Sequence, residues 1–355
     1  MDNTKNTDIK SLNIEELTEY IELIGEKKFR AKQLYEWMHV HLARTYDEMT
    51  NLSKKLRDDL SKNTDYVSLN IEDLQVSKLD GTRKYLFALS DGNCVESVMM
   101  RYKHGISVCI SSQVGCKMGC SFCASTIGGF IRNLTPSEML DQIYAISRDS
   151  GERVSNIVVM GTGEPLDNYD NLLKFIEIIT DENGLNISRR NITVSTCGLV
   201  PKIYDLADEN LTITLALSLH ASSQAKREAI MPVAKTYNIE DVVKAMEHYA
   251  NSTKRRITYE YTLIAGVNDS SDDANELANL IGKQPCHINL IPVNPVTENN
   301  YRASDTDAVL AFKKKLEKNA INVTIRREMG RDIDGACGQL RRKHMKNNTT
   351  VMKEG

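Results

Sequence analysis

The sequence contains no run of apolar residues that approaches the ~18 needed to cross a bilayer, so a membrane-spanning chain is not expected. Its opening stretch, MDNTKNTDIKSLNIEEL, is polar and lacks the apolar core of a secretion signal. A disulfide framework is missing too. Three of the eight cysteines crowd into one short stretch and the others are scattered. That is the usage of a reduced, intracellular protein, and a cytoplasmic location is expected. A chain of 355 residues has enough core to need no such staples. Charge of one sign is also lacking. The net value of −3 does not advertise nucleic-acid binding. Basic residues do gather at 54–57, 189–190, 254–256, 326–331 and 341–346. Taken singly, each group reads as solvated surface, although several on one face would make an RNA footprint. No coiled-coil repeat or exposed apolar stripe is present, and a monomer is expected.

What the chain does have is Cys116, Cys120 and Cys123 in GCKMGCSFCA. Three cysteines at CxxxCxxC spacing in a glycine-containing loop can point three thiolates at one inorganic cluster. A [4Fe–4S] cluster held by three thiolates keeps one iron open. That iron can chelate the amino and carboxylate groups of S-adenosylmethionine, and the cofactor then carries the hard chemistry. Structural zinc would need a closed set of four ligands. No His or Cys follows within twenty residues of Cys123 to complete it.

Residues 13–63 read as helical. Leu17, Ile21, Ile24, Phe29, Leu34, Trp37 and Met38 recur near helical spacing, and FRAKQLYEWMH forms an amphipathic helix with a basic face. YVSLNIEDLQV, TRKYLFALS and CVESVMM then read as strands separated by DG turns. From about residue 105, strand and helix signals alternate, from ISVCISS to INVTIRRE. The expected organisation is a helical accessory domain over 1–64 and a small β region over 65–104. An α/β partial (βα) barrel follows over 105–335, and a C-terminal segment over 336–355. Repeated β–α units imply parallel strands. Six or seven units are fewer than the eight of a closed barrel, so an open barrel is expected. A doubly wound sheet would place ligands at the same strand ends.

Polar and glycine-rich stretches fall just beyond the C-terminal ends of these strands. Gly163 and Glu164 sit in MGTGEP, where a bare backbone and a carboxylate can hold an ammonium group. Ser195 follows one strand, Ser218, Leu219 and His220 follow the next, and Asn294 follows a later one. Their polar groups can hydrogen-bond the ribose, adenine or carboxylate of the same cofactor. Cys109 lies inside the first barrel strand. Cys337 lies in DIDGACGQL beyond the last strand, among small neighbours. These two thiols can meet at the barrel top, or they can be one buried and one loop cysteine. Glu96 in CVESV is a strand carboxylate. Cys94, Cys197 and Cys286 read as structural.

In these blocks, in order from about residue 13 to residue 342, the chain resembles the RlmN/Cfr family of radical S-adenosylmethionine RNA adenosine methyltransferases. FRAKQLYEWMH, VESV, CISSQVGCKMGCSFCAS, RNLTPSE, VVMGTGEPLDNYDN, NITVSTCGLVP, ALSLHA, MPV, INLIPVNP and DIDGACGQLR carry the resemblance. It implies one [4Fe–4S] cluster per chain and two S-adenosylmethionine molecules per turnover. One methylates Cys337 and the other generates a radical on that methyl group, which adds to an adenine ring carbon. Glu96 stands where the family places its base. Cys109 stands where a thiol attacks the Cys337 sulfur and releases the product, leaving a Cys109–Cys337 disulfide. The implied partners are 23S ribosomal RNA, tRNA and an electron donor such as flavodoxin or ferredoxin. GTGEPLDN, with Pro165 beside Glu164, resembles the branch that methylates carbon 2 rather than carbon 8, while CASTIGG departs from the commonest form. A radical enzyme acting on a protein would be expected to lack Cys109 and Cys337.

Overall fold

The computed structural model describes residues 6–293, 301–334, 338–341, 343 and 344. The chain begins with a helical head. Strand β1 (Thr7–Asp8) pairs in parallel with β2 (Thr64–Asp65), which draws together the two ends of a segment holding α1 (Ile14–Leu23), α2 (Phe29–His39) and α3 (Lys54–Asn63). Asn13 starts α1 with a reciprocal cap. Its side chain accepts the Glu16 N–H at 2.8 Å, and the Glu16 carboxylate accepts the Asn13 N–H at 2.9 Å. Leu17, Ile21, Leu34 and Met38 of the periodic set are fully buried. Ile24 and Phe29 share the periodicity but are exposed, because they stand where α1 stops and α2 begins.

Strands β3 (Asn70–Val76), β4 (Arg83–Ala88) and β5 (Cys94–Tyr102) form an antiparallel meander that continues into β6 (Gly105–Ile110). The hairpin of β7 (Gln113–Gly115) and β8 (Phe130–Asn133) follows, and then α4 (Pro136–Ser150). After it come β9 (Val154–Val159), α5 (Tyr169–Thr180), β10 (Ile192–Thr196), α6 (Val200–Asp208) and β11 (Thr214–Ser218). The series ends with α7 (Gln224–Ile230), α8 (Ile239–Thr253), β12 (Ile257–Leu263), α9 (Ser271–Ile281), β13 (Cys286–Pro292), α10 (Thr306–Lys318) and β14 (Asn322–Ile325). One ten-stranded sheet results, ordered β14-β13-β12-β11-β10-β9-β6-β5-β4-β3. All pairings from β6 through β14 are parallel. The β region over 65–104 is thus hydrogen-bonded into the same sheet as the parallel strands.

The two faces of this sheet differ. Along β12, Ile257, Tyr259, Tyr261 and Leu263 are fully buried and join the core under the helices. The alternate residues form a polar row on the other face. Asn289 donates to the Glu260 carboxylate at 2.9 Å, and Thr324 donates to Asn289 at 3.2 Å, across neighbouring strands in register. A doubly wound sheet carries helices, and so apolar side chains, on both faces. The polar inner row belongs instead to an open barrel, as the sequence implies. The chain beyond β14 bridges the gap between the sheet's two arms. Asp332 accepts from the Ser77 hydroxyl at 2.6 Å and the Lys78 N–H at 2.7 Å, and Asp80 accepts from the Gly330 N–H at 2.9 Å.

The head is fastened to α4 by buried polar groups. Lys10 and Asp141, both fully buried, form an ion pair at 2.9 Å. Asp141 also accepts from the Leu69 N–H at 2.7 Å and from Arg148 at 3.2 Å. His39 Nδ1 lies 2.8 Å from the Tyr144 hydroxyl. Removing one partner of a buried pair leaves an uncompensated charge and costs about 3–5 kcal/mol. Asp141→Ala is therefore expected to lower the unfolding free energy extrapolated from urea denaturation by that amount, with the midpoint falling and the slope unchanged. Lys10→Met combined with Asp141→Leu should recover most of the loss, because the double variant leaves neither charge behind.

Candidate active site

The hairpin β7–β8 closes the two ends of the cysteine loop. Gly115 makes this possible. Its φ is +77°, and a Cβ there would lie 1.9 Å from the Gly129 carbonyl oxygen. Cys116 then donates its N–H to Gly129 at 3.2 Å, and Cys123 donates to Cys120 at 3.1 Å. The turn after α7 holds the loop from outside, with the Ser121 N–H donating to Ile230 at 2.9 Å. Cys116 and Cys120 are buried and Cys123 is half-buried. Burial pushes the Cys116 thiol up to about 11, and the neighbouring Cys123 and Glu164 push it the same way. Cys120 is raised likewise, first by burial and then by Cys123 and Cys116. The three sulfurs therefore share one electrostatic neighbourhood. Among the described residues no three Cys, His, Asp or Glu side chains converge tightly enough for a single ion. Three thiols that raise one another's pKa in one loop suit a multi-iron cluster, whose positive irons would offset the cost of ionising buried thiols.

The stretch after β9 is laced to the stretch after β6. The Thr162 carbonyl accepts from Ser112 at 3.0 Å and from Gln113 at 3.1 Å. Gly163 has φ +113°, and a Cβ there would meet Gln113 at 2.6 Å. Glu164 follows, 3% exposed. Its carboxylate accepts the Leu166 N–H at 3.0 Å and the Cys197 N–H at 2.7 Å. Burial raises its pKa, and among the described residues it has no ion-pair partner. A ligand ammonium would stabilise it. Cys197, read from sequence as structural, thus helps to hold the candidate cofactor carboxylate.

Ser195 on β10 and Ser218 on β11 bring their hydroxyls to 3.4 Å. Leu219 and His220 both donate their N–H groups to the Glu260 carbonyl, at 3.1 and 3.2 Å. The Leu219 side chain packs into the main core, and its carbonyl accepts from Arg227 Nε at 3.3 Å. His220 has φ +57° and is 5% exposed. Burial lowers its pKa to about 3, so the ring is neutral at physiological pH. Its Nδ1 accepts the Thr262 N–H at 3.0 Å. The proton is thereby assigned to Nε2, which is left as a donor. Phe122 of the cysteine loop meets this ring edge-on, with centroids 4.8 Å apart. Asn294 lies outside the described residues.

A cavity of about 410 Å³ lies beside these loops. Cys109, Cys123, Phe122 and Thr262 line one side, and Arg326, Arg327, Ile333 and Gln339 of the C-terminal segment line the other. Glu96 anchors that segment. Its carboxylate accepts the Gly338 N–H at 2.7 Å and the Arg341 N–H at 2.6 Å, and it pairs with Lys84 at 3.1 Å. Lys84 is fully buried and also donates to the Asp334 carbonyl at 2.6 Å. The pair therefore grips the chain on both sides of Cys337, which itself lies outside the described residues. Sequence reading found Glu96 but not Lys84, because a lone lysine in a strand looks like a surface residue. It also missed Arg227, which is buried against the loops after β10 and β11. The described residues contain no disulfide.

Glu96→Ala would leave Lys84 buried without its carboxylate, at a cost of about 3–5 kcal/mol. It would also release the Gly338 and Arg341 amides. Hydrogen exchange followed by mass spectrometry should show faster exchange in the peptide spanning 334–341, while the peptide spanning the cysteine loop stays as protected as in wild type.

Comparison with known proteins gives a consistent picture. Residues 110–280 match the Radical SAM superfamily, and residues 7–65 match the ribosomal RNA large subunit methyltransferase N-terminal domain. A Lachnospira eligens protein named "Probable dual-specificity RNA methyltransferase RlmN" is 62% identical, over 96% of this chain and 97% of that protein. A protein of the same name from Lachnoclostridium phytofermentans is 59% identical, over 96% of each chain. The crystal structure of a radical SAM methyltransferase from Sphaerobacter thermophilus superposes with a TM-score of 0.90 at 41% identity, covering 94% of this chain and 98% of that one.

Proposed function

The chain belongs to the RlmN family of radical S-adenosylmethionine RNA methyltransferases, and from that premise we propose that it methylates carbon 2 of an adenosine in 23S ribosomal RNA and of the adenosine 3′ to the anticodon in some tRNAs. The observation that carries this reading is a cavity lined jointly by Cys109, by Cys123 of the cysteine loop, and by residues on both sides of Cys337.

Cys116, Cys120 and Cys123 would hold one [4Fe–4S] cluster per chain. With two molecules of S-adenosylmethionine per turnover, it would supply the methyl group and the one-electron chemistry that an unreactive ring carbon requires. Glu164 accepts the ammonium group of the cofactor. Ser195, Ser218 and the Nε2–H of His220 offer hydrogen bonds to its ribose, adenine or carboxylate, with Asn294 and Leu219 completing the set. The Cys337 sulfur carries the methyl group and tethers the base during transfer. Cys109 serves as the thiol that releases it. Glu96 takes the family's place for the base and, through its hydrogen bonds to Gly338 and Arg341, also positions the Cys337 segment. The helical head over 1–64 contacts RNA structure, and Arg326 and Arg327 at the cavity wall supply cationic contacts to the backbone of an unstacked nucleotide. Electrons come from a flavodoxin- or ferredoxin-type donor. No helix among the described residues is long and apolar enough to cross a membrane, and the RNA partners point to the cytoplasm.

The test is mass spectrometry of RNA nucleosides from cells that lack the gene, complemented with wild-type or Cys337→Ala protein. 2-Methyladenosine is expected to vanish on deletion and to return only with wild type. Loss of 8-methyladenosine instead would move the reaction to the other ring carbon. No change in either nucleoside would end the RNA methyltransferase reading.

A further inference from the structure

Arg227, on α7, is fully buried, yet no carboxylate pairs with it among the described residues. Its Nη2 donates to the Cys197 carbonyl at 2.6 Å and its Nε to the Leu219 carbonyl at 3.3 Å. Its Nη1 has no hydrogen-bond partner. A guanidinium costs several kcal/mol to bury and is kept where an anion compensates it. Burial lowers its pKa, and the thiols of Cys197 and Cys120, when ionised, are the groups that favour its charged form. The end of α7 is bonded to the cysteine loop, since Ile230 accepts from the Ser121 N–H at 2.9 Å and Met231 donates to the Arg227 carbonyl at 2.8 Å. Arg227 thus sits under two strand-end loops and beside one of the three loop cysteines. It accounts for both loops with two of its nitrogens and has one left over.

We propose that Arg227 is the counter-charge of the cofactor site, with its free guanidinium edge balancing the negative charge of the thiolate-ligated cluster. The assignment rests on the reading that Cys116, Cys120 and Cys123 hold that cluster. A fixed positive charge beside the cluster makes it easier to reduce, because reduction adds one more negative charge in a poorly solvated place. A bound carboxylate from S-adenosylmethionine is the other anion this chemistry could serve, so the measurement is made without that cofactor first.

The experiment measures the cluster midpoint potential, by absorbance and electron paramagnetic resonance, in anaerobically reconstituted wild type, Arg227→Met and Arg227→Lys. Arg227→Met is expected to disfavour reduction at least tenfold, a fall of about 59 mV for one electron, with normal iron content. Arg227→Lys should recover most of the shift. A second measurement needs no variant. Wild type grown with ¹⁵N-guanidino arginine should show nitrogen hyperfine coupling in the spectrum of the reduced cluster. An unshifted potential with a lower melting temperature, or no nitrogen coupling, would make Arg227 a brace for the two loops and overturn the proposal. A shift seen only after S-adenosylmethionine is added would reassign the charge to the cofactor carboxylate. Wild type that binds no iron would sink the cluster reading itself, a result separable from the others by iron analysis alone.

Discussion

The carboxylate of Glu96 joins two parts of the molecule that the sheet alone leaves apart. The ten strands run in sequence order from β3 to β14, so the polypeptide leaves the sheet at the edge opposite the one where it entered. An open sheet of this kind gives a site one wall. The second wall comes from the chain beyond β14, which returns to β3–β5 and is held there by Glu96, Lys84 and the pair of Asp332 and Asp80. These bonds are mostly to backbone N–H groups, so they fix where the chain passes while leaving side chains free to face the cavity. A hydrogen bond to a buried charge is among the stronger ones a protein makes. Glu96 makes two of them, within four residues of each other.

Buried charge is the theme of the whole molecule, but it serves two ends. Lys10 and Asp141 are matched, and the Tyr66 ring below Lys10 adds a further contact. That is the pattern of a structural joint. Glu164 and Arg227 are each hydrogen-bonded to the backbone on either side of Cys197, yet neither has an opposite charge among the described residues. The fold holds one unmatched anion and one unmatched cation at the strand ends, beside three thiols. Such an arrangement is unfavourable when empty and favourable once a charged cofactor fills it.

Much of the fold was legible because its signals are periodic. The strand–helix alternation from β6 onward, the amphipathic α2 and the cysteine spacing all follow from which residues must be buried or brought together. The loops at the strand ends were legible as glycine-rich breaks, and Gly163 and His220 do take left-handed backbone there. Lys84 and Arg227 were not legible. In TRKYLFALS and QAKREAI they stand beside other charges, and nothing local says which of two neighbouring cations turns inward. That choice is made by long-range partners: Asp334 and Glu96 for one, Cys197 and Leu219 for the other. The joining of β3–β5 to the parallel strands was hidden for a similar reason. A DG-turned meander has the same sequence pattern whether it stands alone or adds to a larger sheet.

The head and the site are also linked by covalent order. The cysteine loop leads directly into β8, and β8 leads into α4 through the Thr135–Glu138 cap. Arg132 of β8 binds the same Glu138 through two nitrogens, at 2.7 and 2.8 Å. The head is fastened to this same helix at Ser137, Asp141 and Tyr144. One rigid helix thus carries the head at one side and the cysteine loop at its start. Any ligand that docks on the head is placed relative to the cysteine loop by a single element, not by a chain of loops. For a large folded RNA, that economy of joints is what makes distant binding useful for positioning.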